Sequence, residues 1–534
     1  VCAMPHRIEV GMKPDAIDPA GLDVKHRIAE DLGIHVGEVR VVDVYTVNAD
    51  LSREELERVR TELFSDPVIQ VSALDKSLLA NYDYAIEVGF RPGVTDNVGK
   101  SSAEGVADTL GRSLAIDEAV YKSTLYAMSG VDSAKTCDHI ARDLLANELI
   151  QRWVVKSRDE MTALDGVSLL GLPIVTDRSD ATVREVSLAI SDDELAQLSR
   201  DRMLALELRE MKVIQGYYCR DDVRARRAVL GLPAHPTDIE LEILAQTWSE
   251  HCKHKIFDAR IRYDDGSGKA RVIDSLFKTY VKGTTSEVAK RIDWLISVFH
   301  DNAGIIKFDE NWHFALKAET HNSPSALDPY GGAITGIVGV NRDILGAGMG
   351  CKCIFNTDVF CFASPFHDGA IPSRLLHPRR VLRGVHQGVK DGGNQSGIPD
   401  LNGAIVFHER FLGKPLVFCG TGGLIPAVVA GRPSHEKGAR AGDCIVMCGG
   451  RIGKDGIHGA TFSSEELHEG SPATAVQIGD PITQKKMADF LLEARDLGLY
   501  TCVTDNGAGG LSSSVGEMAR VPGGAAIHLD KAPL

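Results

Sequence analysis

The N-terminal part of the chain contains a tandem repeat. Ile8-Glu9-Val10-Gly11 recurs as Ile86-Glu87-Val88-Gly89, and Asp18 recurs at the same offset as Asp96. Each copy predicts an apolar strand, a turn, a helix capped by the aspartate, a β-rich stretch and a second helix. We therefore predict two small α/β sandwich modules. We expect them to pair their sheets as a pseudo-dimer, because pairing covers strand edges that would otherwise be exposed.

The rest of the chain changes character twice. A charged helical pattern followed by a Pro-rich break indicates a linker domain, and glycine-rich turns between β-rich segments indicate two larger domains beyond it. We predict an α/β (α+β) fold with five domains, at residues 1–80, 81–172, 173–258 (the helical linker), 259–430 and 431–534. In the linker, Thr237 to Glu240 forms a capping box that starts a helix leading to His251.

Length and charge exclude several classes of protein. A chain of 534 residues is too long for one hydrophobic core. The formal net charge of −15 argues against a nucleic-acid-binding protein, but it allows a small anionic substrate held by local cations. No apolar run approaches the roughly 20 residues that span a bilayer, and the N-terminus lacks a signal-peptide pattern. We expect no membrane contact, a cytoplasmic location and reduced, scattered cysteines.

The segment from Leu316 to Pro324 says most about function. It begins as an alternating strand, which places Lys317, Glu319 and His321 on one face. Lysine suits phosphate oxygens, glutamate suits Mg²⁺, and histidine moves protons near neutral pH, so this row is typical of a nucleotide site. Taken alone, an ordinary solvent-facing strand explains the row equally well.

Two later segments add groups of the same kind. Arg342 and Asp343 follow a glycine-rich apolar run, and Asp505 precedes a glycine turn. Arginine clamps phosphate or carboxamide oxygens, and the aspartates suit a Mg²⁺ shell. A surface ion pair and a structural turn are the respective alternatives. We expect Leu499 to Val503 to form a buried strand and Ser514 to Glu517 to cap the next helix.

Two histidines lie at the end of the linker. His251 and His254 flank Cys252 at the end of a predicted helix. Two histidines with no further clustered ligand make a poor zinc site. We expect the pair to point into the cleft of a neighbouring domain, with capping of the helix C-terminus as the alternative.

Together these motifs resemble the large synthetase subunit of phosphoribosylformylglycinamidine synthase, in the superfamily of aminoimidazole ribonucleotide synthetase. The resemblance runs from about Thr237 to the end. It rests on six ordered motifs: Ser249-Glu250-His251-Cys252, Lys317 to Asn322, Arg342-Asp343, Asp455 to Phe462, Val476 to Pro481 and Asp505 to Leu511. The repeated module resembles the small accessory subunit of the same enzyme system, fused here in two copies. The resemblance implies synthetase-like N-terminal and C-terminal domains after the linker.

The resemblance also implies an ATP-dependent ligase of purine biosynthesis. ATP phosphorylates the amide oxygen of formylglycinamide ribonucleotide, and ammonia displaces phosphate to give the amidine. The implied site residues are His251 and His321 as catalytic groups, His254 and Lys317 on ATP, Thr320, His321, Asn322, Ser323, Arg342 and Gln477 on the substrate, and Glu319, Asp343 and Asp505 on Mg²⁺. Such residues suit phosphoryl transfer, which needs positioning and charge neutralisation.

The sequence differs from the family at three points. His254 replaces a usual tyrosine, Ser323 replaces a usual second histidine, and the family's second synthetase half is missing after Leu534. Because the family's nucleotide sites form between paired halves, we expect a truncated chain whose partners are that half and an ammonia-supplying glutaminase. Two competing interpretations stay open. One is another ATP-dependent enzyme of the superfamily, such as aminoimidazole ribonucleotide synthetase or a selenophosphate or thiamine-phosphate kinase. The other is a non-catalytic scaffold that binds nucleotide and a glutaminase.

Overall fold

The computed structural model describes residues 5–115, 117–164, 169–174, 182–372, 375–450, 459 and 479–528. Contacts divide the chain into two units, residues 1–179 and 180–534. None of the helices in the described ranges combines the length and apolar character that a membrane span requires. The cytoplasmic location stays a prediction.

Two modules of the same architecture make up the N-terminal unit. The first contains β1 (His6–Met12), α1 (Pro19–Leu32), β2 (Val39–Asn48), α2 (Arg53–Arg58) and β3 (Gln70–Leu74). The second contains β4 (Tyr84–Phe90), α3 (Asn97–Leu110), β5 (Ala119–Met128), α4 (Ala134–Ile140), β6 (Gln151–Ser157) and α5 (Arg158–Leu164). A π turn extends α2 over residues 59–63 and α4 over residues 141–145.

The two modules share one six-stranded sheet in the order β3-β1-β2-β5-β4-β6. β2 and β5 pair in antiparallel fashion along their whole length, from Val39 opposite Met128 to Asn48 opposite Ala119. The expected pairing of the two half-sheets is therefore confirmed.

An aspartate caps the first helix of each module, as the repeat predicts. Asp18 accepts a hydrogen bond from the backbone N–H of Gly21 at 2.8 Å, and Asp96 accepts one from Gly99 at 2.7 Å. A Cβ on Gly21 or Gly99 would lie 2.1 Å or 2.4 Å from a backbone oxygen of the neighbouring strand. Only glycine lets these helices lie so close to the sheet.

A buried ion cluster joins the two modules. Arg7 on β1 donates to Glu9 at 2.8 Å and to both carboxylate oxygens of Glu87 on β4, at 2.9 and 3.1 Å. The three residues are 2%, 1% and 0% exposed, and Ser123 donates a further hydrogen bond to Glu87 at 2.6 Å. Both glutamates belong to the repeat, whereas Arg7 has Ala85 as its counterpart. One arginine therefore serves two buried carboxylates.

The C-terminal unit starts with the helical linker and continues into a mixed sheet. Its elements in chain order are α6 (Asp192–Asp201), α7 (Leu208–Tyr218), α8 (Asp221–Val229), α9 (Asp238–Thr247), α10 (Glu250–Lys253), β7 (Arg260–Tyr263), β8 (Arg271–Asp274), α11 (Gly283–Ala289), β9 (Leu295–Ser297), β10 (Gly304–Lys307), β11 (Trp312–Thr320), α12 (Asn322–Leu327), α13 (Pro329–Gly346), β12 (Lys352–Phe362), α14 (Pro378–Ser396), β13 (Asp400–Phe407), β14 (Leu416–Pro426), β15 (Val428–Val429), β16 (Arg432–Pro433), α15 (Pro481–Asp496) and α16 (Gly510–Arg520). A π turn at 277–282 and a 3₁₀ turn at 409–411 complete it.

The predicted capping box starts α9 in the linker. The hydroxyl of Thr237 accepts a hydrogen bond from the backbone N–H of Glu240 at 3.2 Å, and the Glu240 carboxylate accepts one from the N–H of Thr237 at 2.8 Å. A short break at Trp248 and Ser249 separates α9 from α10, which carries His251. The box therefore fixes the start of α9, whereas α10 has its own cap in Ser249, whose hydroxyl accepts a hydrogen bond from the backbone N–H of Cys252 at 3.2 Å.

The second sheet carries the candidate site at one end. Its strand order is β13-β12-β14-β11-β10-β9, with β12 and β13 parallel and the other pairs antiparallel. Helices α13 and α14 pack on it through a core that includes Ile337, Phe362, Val385 and Val417. Strand β13 is exposed along its whole length. The predicted α/β fold class is confirmed.

Two expectations for the segment after α15 are wrong. Residues 499–503 form no strand, and Leu499 is 70% exposed. This stretch packs instead through Tyr500, whose hydroxyl donates to the carbonyl of Met349 at 2.9 Å. Helix α16 begins at Gly510 rather than at a cap on Ser514, because Gly509 takes a left-handed conformation with φ of 87° that ends the preceding turn.

Candidate active site

The predicted polar row on β11 lies against α13. The ammonium nitrogen of Lys317 is 3.1 Å from Oε1 of Glu319 and 3.3 Å from Oδ2 of Asp343 on α13. The alternation of β11 turns Lys317 and Glu319 to the same face as the buried Ala315. The row is therefore not an ordinary solvent-facing strand.

Asp505 is distant in the chain but joins the same group. The side-chain amide of Asn302 donates to Oδ1 of Asp505 at 2.5 Å and, more weakly, to Oδ1 of Asp343 at 3.4 Å. Arg342 donates to the other oxygen of Asp505 at 3.1 Å. Arg342 therefore pairs with Asp505 and not with the adjacent Asp343. A Cβ on Gly346 would lie 3.0 Å from the backbone nitrogen of Asp505. The structure thus brings the three predicted metal-binding carboxylates into one site.

Burial and charge set the protonation states here. Burial, together with the carboxylate of Glu319, raises the pKa of Asp343 to about 8. Burial tends to raise the pKa of Glu319, but the positive charge of Lys317 outweighs this effect, so the pKa of Glu319 is lowered. Burial tends to lower the pKa of Lys317, but the side chains of Asp343 and Glu319 outweigh this effect, so the pKa of Lys317 is raised. Lys317 is therefore charged, Glu319 is ionised beside it, and Asp343 holds its proton at neutral pH.

The chemistry of the donors fits Mg²⁺. Carboxylate and amide oxygens are the ligands that this hard cation takes. Oδ2 of Asp343 is buried and faces the ammonium nitrogen of Lys317 at 3.3 Å, so this oxygen is already placed to face a cation. Within the described ranges, no three His, Cys, Asp or Glu side chains already form a metal-binding group. In this structure the ammonium group of Lys317 lies between Glu319 and Asp343, and the side-chain N–H groups of Asn302 lie between Asp343 and Asp505.

His321 follows the end of β11 and packs on α13. Its Nδ1 lies 2.5 Å from the carbonyl oxygen of Gly332, and burial lowers the pKa of His321 to about 4. The imidazole is therefore neutral at physiological pH. Because Nδ1 faces a carbonyl it carries the hydrogen, which leaves Nε2 as a proton acceptor.

The other predicted substrate residues lie around the start of α12. Thr320 is exposed at the end of β11, and Ser323 is only 4% exposed. The side-chain oxygen of Asn322 accepts a hydrogen bond from the backbone N–H of Val417 at 2.8 Å, which ties α12 to β14. Gln477 lies outside the described residues.

The linker contributes the predicted histidine pair. His251 lies on α10, where desolvation lowers its pKa although the charge of Glu319 acts in the opposite direction. His254 ends the helix in a left-handed conformation, with φ of 53°. The sulfur of Cys252 is 3.8 Å from Nδ1 of His251. Glu319 on β11 is the carboxylate whose charge acts most on the pKa of His251.

Three residues at the site were missed in the sequence. Asn302 contacts two of the carboxylates, and the ammonium nitrogen of Lys437 lies 2.5 Å from Asp301 and 2.9 Å from the carbonyl oxygen of Gly346. The adjacent polar pair Asp301-Asn302 just before β10 is a signal that could have been used. Lys437 has no comparable signal, because its partners lie far away in the chain.

Comparison with known proteins identifies relatives for most of the C-terminal unit. Residues 195–255 match the formylglycinamide ribonucleotide amidotransferase linker domain. Residues 300–425 match the N-terminal domain of AIR synthase related proteins, and residues 440–534 match the C-terminal domain. The matched domains follow the predicted order.

Two individual relatives share the name phosphoribosylformylglycinamidine synthase subunit PurL. Phosphoribosylformylglycinamidine synthase subunit PurL of Thermoplasma volcanium is 35% identical over 348 residues, covering 64% of this chain and 40% of that protein. The Thermotoga maritima subunit is 33% identical over 306 residues, covering 57% and 42%. A solved structure of T. maritima PurL complexed with FGAR is 30% identical, covers 58% of this chain and 43% of that one, and has a TM-score of 0.43. The chain spans about 40% of the length of these curated relatives.

Proposed function

We propose that the chain belongs, from its linker domain onward, to the formylglycinamide ribonucleotide amidotransferases of the PurL type, and that it carries the ATP-dependent amidine-forming chemistry of purine biosynthesis. Formylglycinamide ribonucleotide is the substrate, and formylglycinamidine ribonucleotide is the product. The observation that carries the proposal is the convergence of Glu319, Asp343 and Asp505, from three separate segments, around Lys317 and Asn302. His321 lies two residues after Glu319 in the chain.

Phosphoryl transfer from ATP to the amide oxygen is the first step. Glu319, Asp343 and Asp505 would hold Mg²⁺, which supplies neutralisation of phosphate charge when bound. Lys317, already charged at this site, is assigned to ATP, as is His254 at the end of α10. Arg342 is assigned to the substrate together with Thr320, Asn322, Ser323 and Gln477. These groups position the reactants and provide no nucleophile, which agrees with what phosphoryl transfer needs.

Attack by ammonia is the second step. Nitrogen bonds to the activated carbon, phosphate leaves with the amide oxygen, and the nitrogen loses a proton. Neutral His321, with Nε2 free of the Gly332 contact, accepts this proton. His251 on α10 is assigned as the second catalytic histidine, and the charge of Glu319 acts on its pKa.

Two partners follow from the same assignment. A glutaminase supplies ammonia, and a second synthetase half packs against the sheet of this unit. Strand β13 supports the second partner, because Leu401, Ile405 and Phe407 on this outermost strand are 66%, 51% and 47% exposed. The repeated N-terminal modules take the place of the small accessory subunit.

The decisive assay uses formylglycinamide ribonucleotide, Mg-ATP and ammonium chloride, alone and with the partner half. Phosphate release and replacement of O by NH in the product, followed by mass spectrometry, are expected together. Glu319→Gln and Asp505→Asn should each lower turnover by at least about 100-fold. The control Glu310→Gln changes an exposed carboxylate that pairs with Lys307 in a surface turn, and it should keep full turnover.

The competing functions predict different results. Substrate-independent hydrolysis, or transfer of phosphate to a thiamine phosphate or selenide acceptor, would favour another enzyme of the superfamily. Nucleotide binding without turnover in the complete assembly would favour a scaffold. Turnover with ammonium but none with glutamine after a glutaminase is added would contradict that partnership.

A further inference from the structure

The side-chain amide of Asn302 links two carboxylates that come from different parts of the chain. Its Nδ2 donates to Asp505 at 2.5 Å and to Asp343 at 3.4 Å, while its Oδ1 accepts from Lys437 and Thr504, each at 3.4 Å. Both ends of the amide therefore have partners of the right type. This network fixes which end faces the carboxylates.

The backbone of Asn302 is held as well. Its carbonyl oxygen accepts a hydrogen bond from Lys317 at 3.1 Å, and its N–H donates to the carboxylate of Asp301 at 2.8 Å. Asn302 therefore contacts groups from β11, from α13 and from the loop that carries Asp505. Rotation of its side chain would break contacts to Asp343 and Asp505 at once.

Lys437 fixes the loop that carries Asn302. Its ammonium nitrogen lies 2.5 Å from Oδ1 of Asp301 and 2.9 Å from the carbonyl oxygen of Gly346 at the end of α13. The other oxygen of Asp301 accepts the backbone N–H of Gly348 at 2.6 Å. Lys437 and Asp301 therefore clamp the loop before β10 to the end of the helix that carries Asp343.

Close packing leaves little freedom in this arrangement. A Cβ on Gly346 would lie 3.4 Å from the side chain of Asn302 and 3.0 Å from the backbone nitrogen of Asp505. The side chains of Lys437 and Asp301 are 19% and 8% exposed. Such hydrogen-bonded groups around metal ligands set the orientation of the ligands.

We propose that Lys437, Asp301 and Asn302 form a positioning unit that holds Asp343 and Asp505 at a fixed separation for a divalent cation. Lys437 acts only through the other two residues. The inference rests on the proposed function, because it takes these carboxylates to be cation ligands. It adds that the affinity for the cation is set partly by a lysine that does not touch it.

The test measures Mn²⁺ binding to the whole chain by electron paramagnetic resonance, without nucleotide or substrate. Lys437→Met and Asn302→Ala should each raise the dissociation constant about 10- to 100-fold. Lys437→Arg keeps the charge and should recover most of the affinity. The matched control is Lys122→Met in the N-terminal unit, where a lysine of similar exposure, 15%, lies 2.8 Å from Asp43. Its Mn²⁺ affinity should stay at the wild-type value.

Each result decides between defined possibilities. Unchanged Mn²⁺ affinity in Lys437→Met and Asn302→Ala, with tight binding by the wild type, would overturn the positioning unit and leave the proposed function intact. No specific Mn²⁺ binding by the wild type would likewise overturn the positioning unit, whereas the proposed function is decided by the turnover assay with Mg-ATP. Should Lys437→Met unfold, Gly346→Ala is the variant to compare, because its Cβ would lie 3.4 Å from the side chain of Asn302 and 3.0 Å from the backbone nitrogen of Asp505. An affinity equal to that of the wild type in folded Gly346→Ala would also reject the proposal.

Discussion

The guanidinium of Arg7 lies 2.9 Å from the carboxylate of Glu87, and this ion pair joins two modules that otherwise repeat each other. Both side chains are buried, and Arg7 also contacts Glu9. A buried carboxylate without a partner is costly, whereas a paired one is tolerated. Arg7 is therefore the residue on which the charge balance of the N-terminal core depends.

Replacing Arg7 with methionine should destabilise the N-terminal unit by about 3–5 kcal/mol, because two buried carboxylates lose their counter-charge. The measurement is urea unfolding combined with amide hydrogen exchange in β4 and β5. Arg112→Met is the control, because the Arg112 side chain is 35% exposed in its pair with Glu118 and its loss should cost at most about 1 kcal/mol. Equal losses in the two variants would contradict the role of Arg7.

The close approach of α1 and α3 to the sheet leaves no room for a side chain at Gly21 and Gly99. Alanine at either position would place Cβ within 2.4 Å of strand backbone, and we expect a loss of about 1–3 kcal/mol, since the helix must move away from the sheet. Gly216→Ala in α7 meets no atom within 4 Å and should instead gain up to about 1 kcal/mol from helix propensity. Thermal unfolding of the three variants gives the comparison.

Activity should require the imidazole of His321 in its neutral form. His321→Asn should lower turnover by roughly 10²- to 10⁴-fold, the usual contribution of a general base. Since the pKa of His321 is about 4, its protonation should reduce the wild-type rate only below about pH 5. A rate decrease centred near pH 6.5 that disappears in the variant would show that the histidine is not held neutral.

Acid stability should depend on Asp328 at the start of α13. Burial raises the pKa of Asp328 to about 6, and the residue is 5% exposed. The folded state therefore holds this proton more tightly than the unfolded chain, whose aspartates titrate near 3.9. The stabilisation is complete below about pH 4 and is lost as the pH rises through 6.

Asp328→Asn removes this dependence. The variant should be more stable than the wild type at pH 7.5, by up to about 3 kcal/mol, and the difference should shrink at pH 4. Urea unfolding at both values provides the measurement, with exposed Asp264→Asn as control. A variant that is less stable at pH 7.5 would mean that the ionised carboxylate is needed as a helix cap.

Local patterns in the sequence were sufficient for much of the fold. The repeat located the two modules, because Asp18 and Asp96 recur with the glycines that their caps require. The capping box at Thr237 and Glu240 located α9 for the same reason. The apolar run at 499–503 led to a wrong prediction of a strand. An apolar segment forms a strand only where a neighbouring strand can pair with it, and the sequence does not show whether such a neighbour is present.

The candidate site was predictable only where its residues fall in short motifs. Lys317 and Glu319 share a face because of strand alternation, which the sequence contains. Asn302 and Lys437 join through contacts that span more than a hundred residues, and no local pattern reports such contacts. Arg7 was missed because it breaks the repeat instead of following it.

The pairing of β2 with β5 has a consequence for assembly. Separate modules that met along these strands would come apart on dilution, as any bimolecular complex does. Here residues 75–83 tether one half to the other, so each half meets its neighbour at an effective concentration fixed by a short linker. The continuous sheet should therefore persist at any protein concentration, and its loss should follow first-order kinetics.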